Sequence, residues 1–79
     1  MNNIPNRVST CFANVFPDIQ AAEIPRASTA SLAAWDSVAH ITLLSAISEE
    51  FNVELEPEDF EELISYALIV DHLETRTNQ

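Results

Sequence analysis

Apolar residues recur along most of this chain at the three- and four-residue spacing of amphipathic helices. Ile4, Val8, Phe12 and Val15 stand four, four and three residues apart, on one face of a helix predicted over residues 5–16. Pro5 suits its first turn, where a missing N–H costs nothing, and Pro17 stops it by disfavouring helical geometry in the residue before it. Cys11, beside Phe12 and three residues from Val8, reads as a small core or boundary residue. A second helix is predicted over residues 37–50, with Val38, Ile41, Leu44, Ile47 and Phe51 as its apolar stripe. Pro57 opens a short third helix over residues 57–63, with Glu58 and Asp59 in the first turn, where acids suit the helix dipole. Ser65 reads as the cap of a fourth helix that turns Tyr66, Ile69, Val70 and Leu73 inward, and Arg76 suits its C-terminal end.

Between the first two helices lies a connection over residues 18–35, long for a compact domain. Ile19, Ile24 and Leu32 are its expected anchors on the core, and residues 21–23 could form a turn of helix. Val53 and Leu55 anchor the later connection and give the one brief strand-like signal. The expected fold is therefore all-α: a small four-helix bundle, residues 1–79 as one domain, with a long loop between helices 1 and 2 and a short third helix. One long connection allows two of the helices to run roughly parallel.

Size and charge narrow the function. A chain of 79 residues has a modest core and little room for a deep catalytic cleft. Its net charge of −10, from thirteen acids against three arginines, repels nucleic acid and anionic lipid and suits basic protein partners. With 47% hydrophobic residues it can still pack a core. A single cysteine excludes an internal disulfide. The start Met1-Asn-Asn has no basic segment and no long apolar run follows, so a soluble, cytoplasmic, monomeric protein with no membrane insertion is expected.

Eight acids, Glu49, Glu50, Glu54, Glu56, Glu58, Asp59, Glu61 and Glu62, fall within fourteen residues that hold no base. Glu49 and Glu50 sit at the negative end of the second helix, and Glu58 and Glu62 repel across one turn; each placement works against local stability. The run reads either as a solvated face or as a surface that steers basic partners. It is no EF-hand, because that loop needs a glycine at its sixth position and this chain has none. There is no glycine-rich phosphate loop, no Cys/His cluster and no nucleophile–base motif, and His40 and His72 are too far apart to suggest one site. No catalytic residue and no metal ligand is assigned, and the protein is not expected to be an enzyme.

The segment "WDSVAH" admits two readings. In one it only starts a helix: Asp36 is the N-cap, Ser37 the first helical residue, and Trp35 packs over His40 as an aromatic staple. In the other, Ser37 carries something. Asp36-Ser37-Val38, followed by Ile41, Leu44 and Ile47 and then by "EEFNVEL", resembles the acyl carrier protein family, whose pattern is Asp-Ser-Leu, an apolar stripe and a Glu-Glu-Phe close. "ELISYALIVDHL" resembles the family's last-helix segment. The similarity runs from about Trp35 to Leu73; the first helix agrees only in its apolar pattern. Ala34-Trp35 departs from the glycine the family often has two residues before the aspartate, and "Trp-Asp-Ser" with His40 resembles a branch of small stand-alone carriers. Thr42, Ser45 and Ala46 stand where family members often have acids, so the usual docking charges are partly missing.

The resemblance implies a four-helix bundle bearing 4′-phosphopantetheine, derived from coenzyme A, on Ser37, with Asp36 supporting the transfer. The arm would hold acyl or aminoacyl groups as thioesters, and the carrier itself would perform no bond chemistry. Expected partners are a phosphopantetheinyl transferase and acyl- or aminoacyl-loading and acceptor enzymes with basic docking surfaces. Val38, His40, Ile41, Glu49, Glu50, Glu54 and Glu56 are the expected contact residues. A fatty acyl, polyketide, hydroxy acyl or aminoacyl cargo remains open. The competing reading is an unmodified acidic helical adaptor that binds a partner enzyme.

Overall fold

The computed structural model describes residues 3–77, the side chain of Thr77 excepted. Met1 and Asn2, on which the reading of the N-terminal stretch partly rests, lie outside them. Four α-helices follow in order: α1, Ile4–Val15; α2, Ser37–Phe51; α3, Pro57–Glu62; and α4, Tyr66–Thr77. No strand occurs among the described residues. A 3-10 helix, Ala21–Arg26, organises the long connection more fully than the single turn expected there. It packs on α1 and α4, and its Ile24 is buried, as expected of an anchor; Ile19 and Leu32 are half-buried.

Helix α1 is the centre of the packing, in contact with α2, α4 and the 3-10 helix. Asn3 caps it, its side-chain oxygen accepting the N–H of Asn6 at 3.3 Å, and Pro17 follows directly after its last turn. Ile4, Val8, Cys11 and Phe12 are buried, while Val15 is half-buried. At its start, Arg7 reaches the end of α2. Nε lies 2.8 Å from Glu50 Oε2, Nη2 donates to the Glu50 carbonyl at 2.6 Å, and the guanidinium lies 4.3 Å from the centre of the Phe51 ring. At its far end, Phe12 and Phe16 pack on Trp35, with ring centres 5.3 and 6.1 Å apart. The two helices therefore run antiparallel. The expectation that Glu50 destabilises the end of α2 is corrected: the cation from α1 occupies that negative helix end.

The orientation of α2 also differs from the expected stripe. Leu43, Leu44 and Ile47 are fully buried, but Val38 is 74% and Ile41 57% exposed. The reason is geometric. At 3.6 residues per turn, each step of three residues lags by about 60°, so three such steps from Val38 to Ile47 turn the side chain to the opposite face. The inward seam is His40, Leu43, Leu44, Ile47 and Phe51, the three/four pattern of a true core face, with a histidine at one of its apolar positions.

In this glycine-free chain, Asn52 takes the left-handed conformation that ends α2 (φ 54°). Asparagine tolerates that region best after glycine. Asp59, expected only as a first-turn acid, is buried, and it accepts the backbone N–H of Glu56 at 2.8 Å. Ser65 caps α4 as expected, its hydroxyl accepting the Leu68 N–H at 3.1 Å; Ile69 and Leu73 are buried and Tyr66 and Val70 half-buried. An isolated antiparallel bridge pairs Ser28 with Ser65. It ties the loop before α2 to the start of α4 through Thr29 N–H to Ile64 C=O at 3.0 Å and Tyr66 N–H to Ala27 C=O at 2.9 Å.

Burial, reinforced by the Glu50 carboxylate and opposed in part by Arg7, pushes the Cys11 thiol above its ordinary value of 9.0. The unfolded thiol therefore ionises first. The associated stability is complete below about pH 9 and is lost as pH rises through the raised folded value. Urea denaturation of wild type and Cys11→Ala should show the stability gap between them narrowing above pH 9.

Candidate functional site

Asp36 fixes the start of α2. Its side-chain oxygen accepts the Ala39 N–H at 2.9 Å and its carbonyl accepts the His40 N–H at 2.8 Å. Ser37 and Val38, ahead of these two, have no carbonyl of their own helix to bond, because the first N–H groups of a helix lack intrahelical partners. Their N–H groups and the helix dipole make this end favourable for an anion held close to Ser37.

Trp35 goes deeper than a staple. It is 3% exposed and packs edge-on against Phe12. A buried indole N–H needs an acceptor, and Trp35 Nε1 donates to His40 Nδ1 at 2.8 Å. Indole is a donor only, so Nδ1 carries no proton and the neutral ring carries it on Nε2. From there it is donated to the backbone carbonyl of Phe60. That carbonyl belongs to the last turn of α3, where the Ile64 N–H that could have bonded it goes to Glu62 instead, at 3.0 Å. His40 thus satisfies an orphan group at each side, and its ring packs between those of Trp35 and Phe60.

Two open grooves meet beside Ser37. One, of about 600 Å³ between α2 and α3, is lined by Ser37, His40, Ile41, Leu55, Phe60 and Glu61. The other, of about 480 Å³, runs past Thr29, Trp35, Ser37, Phe60, Glu61 and Ile64. Ser37, His40, Phe60 and Glu61 line both. Sequence reasoning missed Phe60, Glu61 and Ile64 as neighbours of Ser37; nothing local marks them, since they reach the site through the packing of α3 and the Ser28–Ser65 bridge. His72 lines neither groove, and its Nε2 is buried with no hydrogen-bond partner.

Of the seven serines, five have engaged hydroxyls. Ser9 bonds Tyr66, Ser28 and Ser31 bond each other, Ser48 donates to the Val53 carbonyl, and Ser65 caps α4. Ser37 and Ser45 are exposed, with no such bond. Only Ser37 stands at a helix start.

The model of the phosphopantetheine attachment-site family matches residues 7–73, which take in most of α1, the long connection, α2, α3 and most of α4. The chain belongs to that family. It is a phosphopantetheine carrier, and membership implies covalently attached 4′-phosphopantetheine. No curated protein matches the chain. The donor set fits such a group: an exposed serine hydroxyl beside backbone N–H groups suits a phosphodiester, and the two grooves offer apolar surface to the arm.

Of the residues read as contacts of this carrier, Val38 and Ile41 are exposed and apolar, and Glu49, Glu54 and Glu56 are exposed acids. Glu50 is held by Arg7, and His40 is half-buried between its two partners. Among the described residues, no helix is long and apolar enough to cross a membrane.

Loss of the cap should be visible directly. Asp36→Ala should cost about 0.5–2 kcal/mol, a fall of several degrees in Tm. Asp36→Asn should retain most of that stability, because it keeps an acceptor for the Ala39 N–H. Thermal denaturation of the unmodified protein checks both.

Proposed function

We propose that Ser37 is the attachment residue and that the protein carries acyl or aminoacyl groups as thioesters between partner enzymes of the cytoplasm. The observation that carries this reading is the state of Ser37: an exposed serine with an unengaged hydroxyl at a helix start, between two grooves, in a chain of the phosphopantetheine family. When bound, the group supplies a flexible arm ending in a thiol that holds the cargo. The chain's own work is positional. Asp36 holds the first turn in place and leaves the Ser37 and Val38 N–H groups to the phosphate, while Ser37 Oγ takes the phosphodiester bond. A separate transferase performs the transfer.

The surface for that transferase and for later partners is Val38 and Ile41, exposed beside Ser37, with Glu49, Glu54 and Glu56 supplying negative charge. Apolar contacts at the centre of an interface carry affinity, and rim charges carry encounter rate and its salt dependence. This favours partners with a basic surface around an apolar pocket.

Co-expression with a broad-specificity phosphopantetheinyl transferase, read by intact mass, should add one phosphopantetheine per chain, with peptide mapping placing it on Ser37. Ser37→Ala should abolish the gain at little cost in stability, since Asp36 provides the cap and alanine is a good helix former. A gain that persists in Ser37→Ala would overturn the assignment, and no gain in wild type would leave the unmodified adaptor. Val38→Glu and Ile41→Glu should each slow modification about tenfold or more without lowering Tm, because both side chains already face water.

A further inference from the structure

We propose that His40 restricts this carrier to short acyl cargo, by closing the way from the Ser37 groove into the bundle. The proposal rests on the reading of Ser37 as the attachment residue and adds what the arm can carry. His40 lies one turn from Ser37 on the inward seam of α2, where Leu43, Leu44 and Ile47 fill the space below it with no exposure. Its Nδ1 accepts the buried indole N–H of Trp35 and its Nε2 donates to the carbonyl of Phe60. The imidazole therefore ties α3 to α2 and to the core at the mouth of the groove.

A chain that slid inward between α2 and α3 at this point would have to part His40 from Phe60, or turn it away from Trp35. Either movement leaves a polar group without a partner, the buried indole N–H or the part-buried carbonyl of Phe60. Methylenes pushed past it find no room, because Leu43, Leu44 and Ile47 already fill the core below. The space that remains is the open trough along Ile41, Leu55 and Phe60. A chain lying there keeps one side in water, so added length gains little. Cargo on this carrier is accordingly short, and it stays accessible to partners instead of being stored inside the bundle. His40 acts through the spacing of α2 and α3 and is a positioning residue.

The test uses acyl-coenzyme A of four, eight and twelve carbons with a promiscuous transferase. Ser37 Oγ takes the whole acyl-phosphopantetheinyl group, and adenosine 3′,5′-bisphosphate leaves. Tm and the rate of thioester cleavage by hydroxylamine are read for each form. Wild type should be flat across the series in both. His40→Leu, which keeps apolar bulk and drops both hydrogen bonds, should gain chain-length dependence. Its twelve-carbon form should melt roughly 5 °C above its four-carbon form, with cleavage slowed severalfold. His40→Gln, which keeps an acceptor and a donor, should restore the flat response. Where His40→Leu does not fold, His40→Met, which fills the site with a more flexible apolar chain and lacks the ring nitrogens that make both bonds, should show the same gain.

A wild type whose Tm climbs and whose thioester becomes protected from four to twelve carbons overturns the proposal, as does a folded variant as flat as wild type. If the mass shows that Ser37 takes no acyl-phosphopantetheine, the attachment reading has failed. The same lengths attached as alkyl disulfides to Ser37→Cys, with and without His40→Leu, then test the closure on their own.

Discussion

The hydrogen-bond relay from Trp35 through His40 to Phe60 is the constraint on which the Ser37 end of this protein depends. Trp35 fills the space against Phe12 and Phe16 that the long connection would otherwise leave open, but it brings a polar N–H into that space. Helix α3 has only six residues, and helices this short have few internal bonds with which to satisfy their ends. One neutral imidazole, in one tautomer, answers both needs. The relay joins the core, the start of α2 and the end of α3, and Ser37 sits one turn before it. A serine on a bare loop would offer the same hydroxyl. Here the hydroxyl is held at a fixed place against two grooves that both border that histidine.

What could be read from the sequence follows the range of each interaction. Caps and stops are chemistry between near neighbours, so Asp36, Ser65, Pro17 and Pro57 marked element ends correctly, and the α1 face came out nearly whole. The rotation of α2 did not, because the apolar stripe of Val38, Ile41, Leu44 and Ile47 leaves out His40 and drifts half a turn from Val38 to Ile47. The polar position was the structural one, and two apolar positions were the exposed ones. Contacts between distant segments were beyond reach: Arg7 with Glu50, the Ser28–Ser65 bridge, and the depth of Trp35. For the candidate site, the helix start and the exposure of Ser37 were legible, since both are local. Its grooves were not, since Leu55, Phe60 and Ile64 arrive from other elements.

The acidic run divides once its members are seen in place. Asp59 turns inward to the Glu56 N–H, and Glu50 is matched by Arg7. Both stabilise the fold locally, which removes them from a simple count of repelling charges. Glu49, Glu54, Glu56, Glu58, Glu61 and Glu62 remain exposed, spread from the end of α2 over α3. They lie beside the α2–α3 groove, so under the proposed function a basic partner would be drawn to the face that carries Ile41 and Ser37. Exposed pairs and rim charges contribute little to stability, and their effect lies in encounter and orientation.

That arrangement gives a physical reason for two large apolar side chains in water on a protein whose core is small. Val38 and Ile41 lie largely outside the packing of α2, whose inward seam is His40, Leu43, Leu44, Ile47 and Phe51. A helix shaped by folding alone would gain solubility from polar residues at both positions. Under the proposed attachment at Ser37, Val38 and Ile41 and the acids farther along the helix would meet a docking enzyme in order: charge that draws it in, apolar contact that holds it, and then the hydroxyl. The half-turn between the buried face and the exposed one lets one helix fill the core on one side and, in the proposed function, offer an apolar face to the partner on the other.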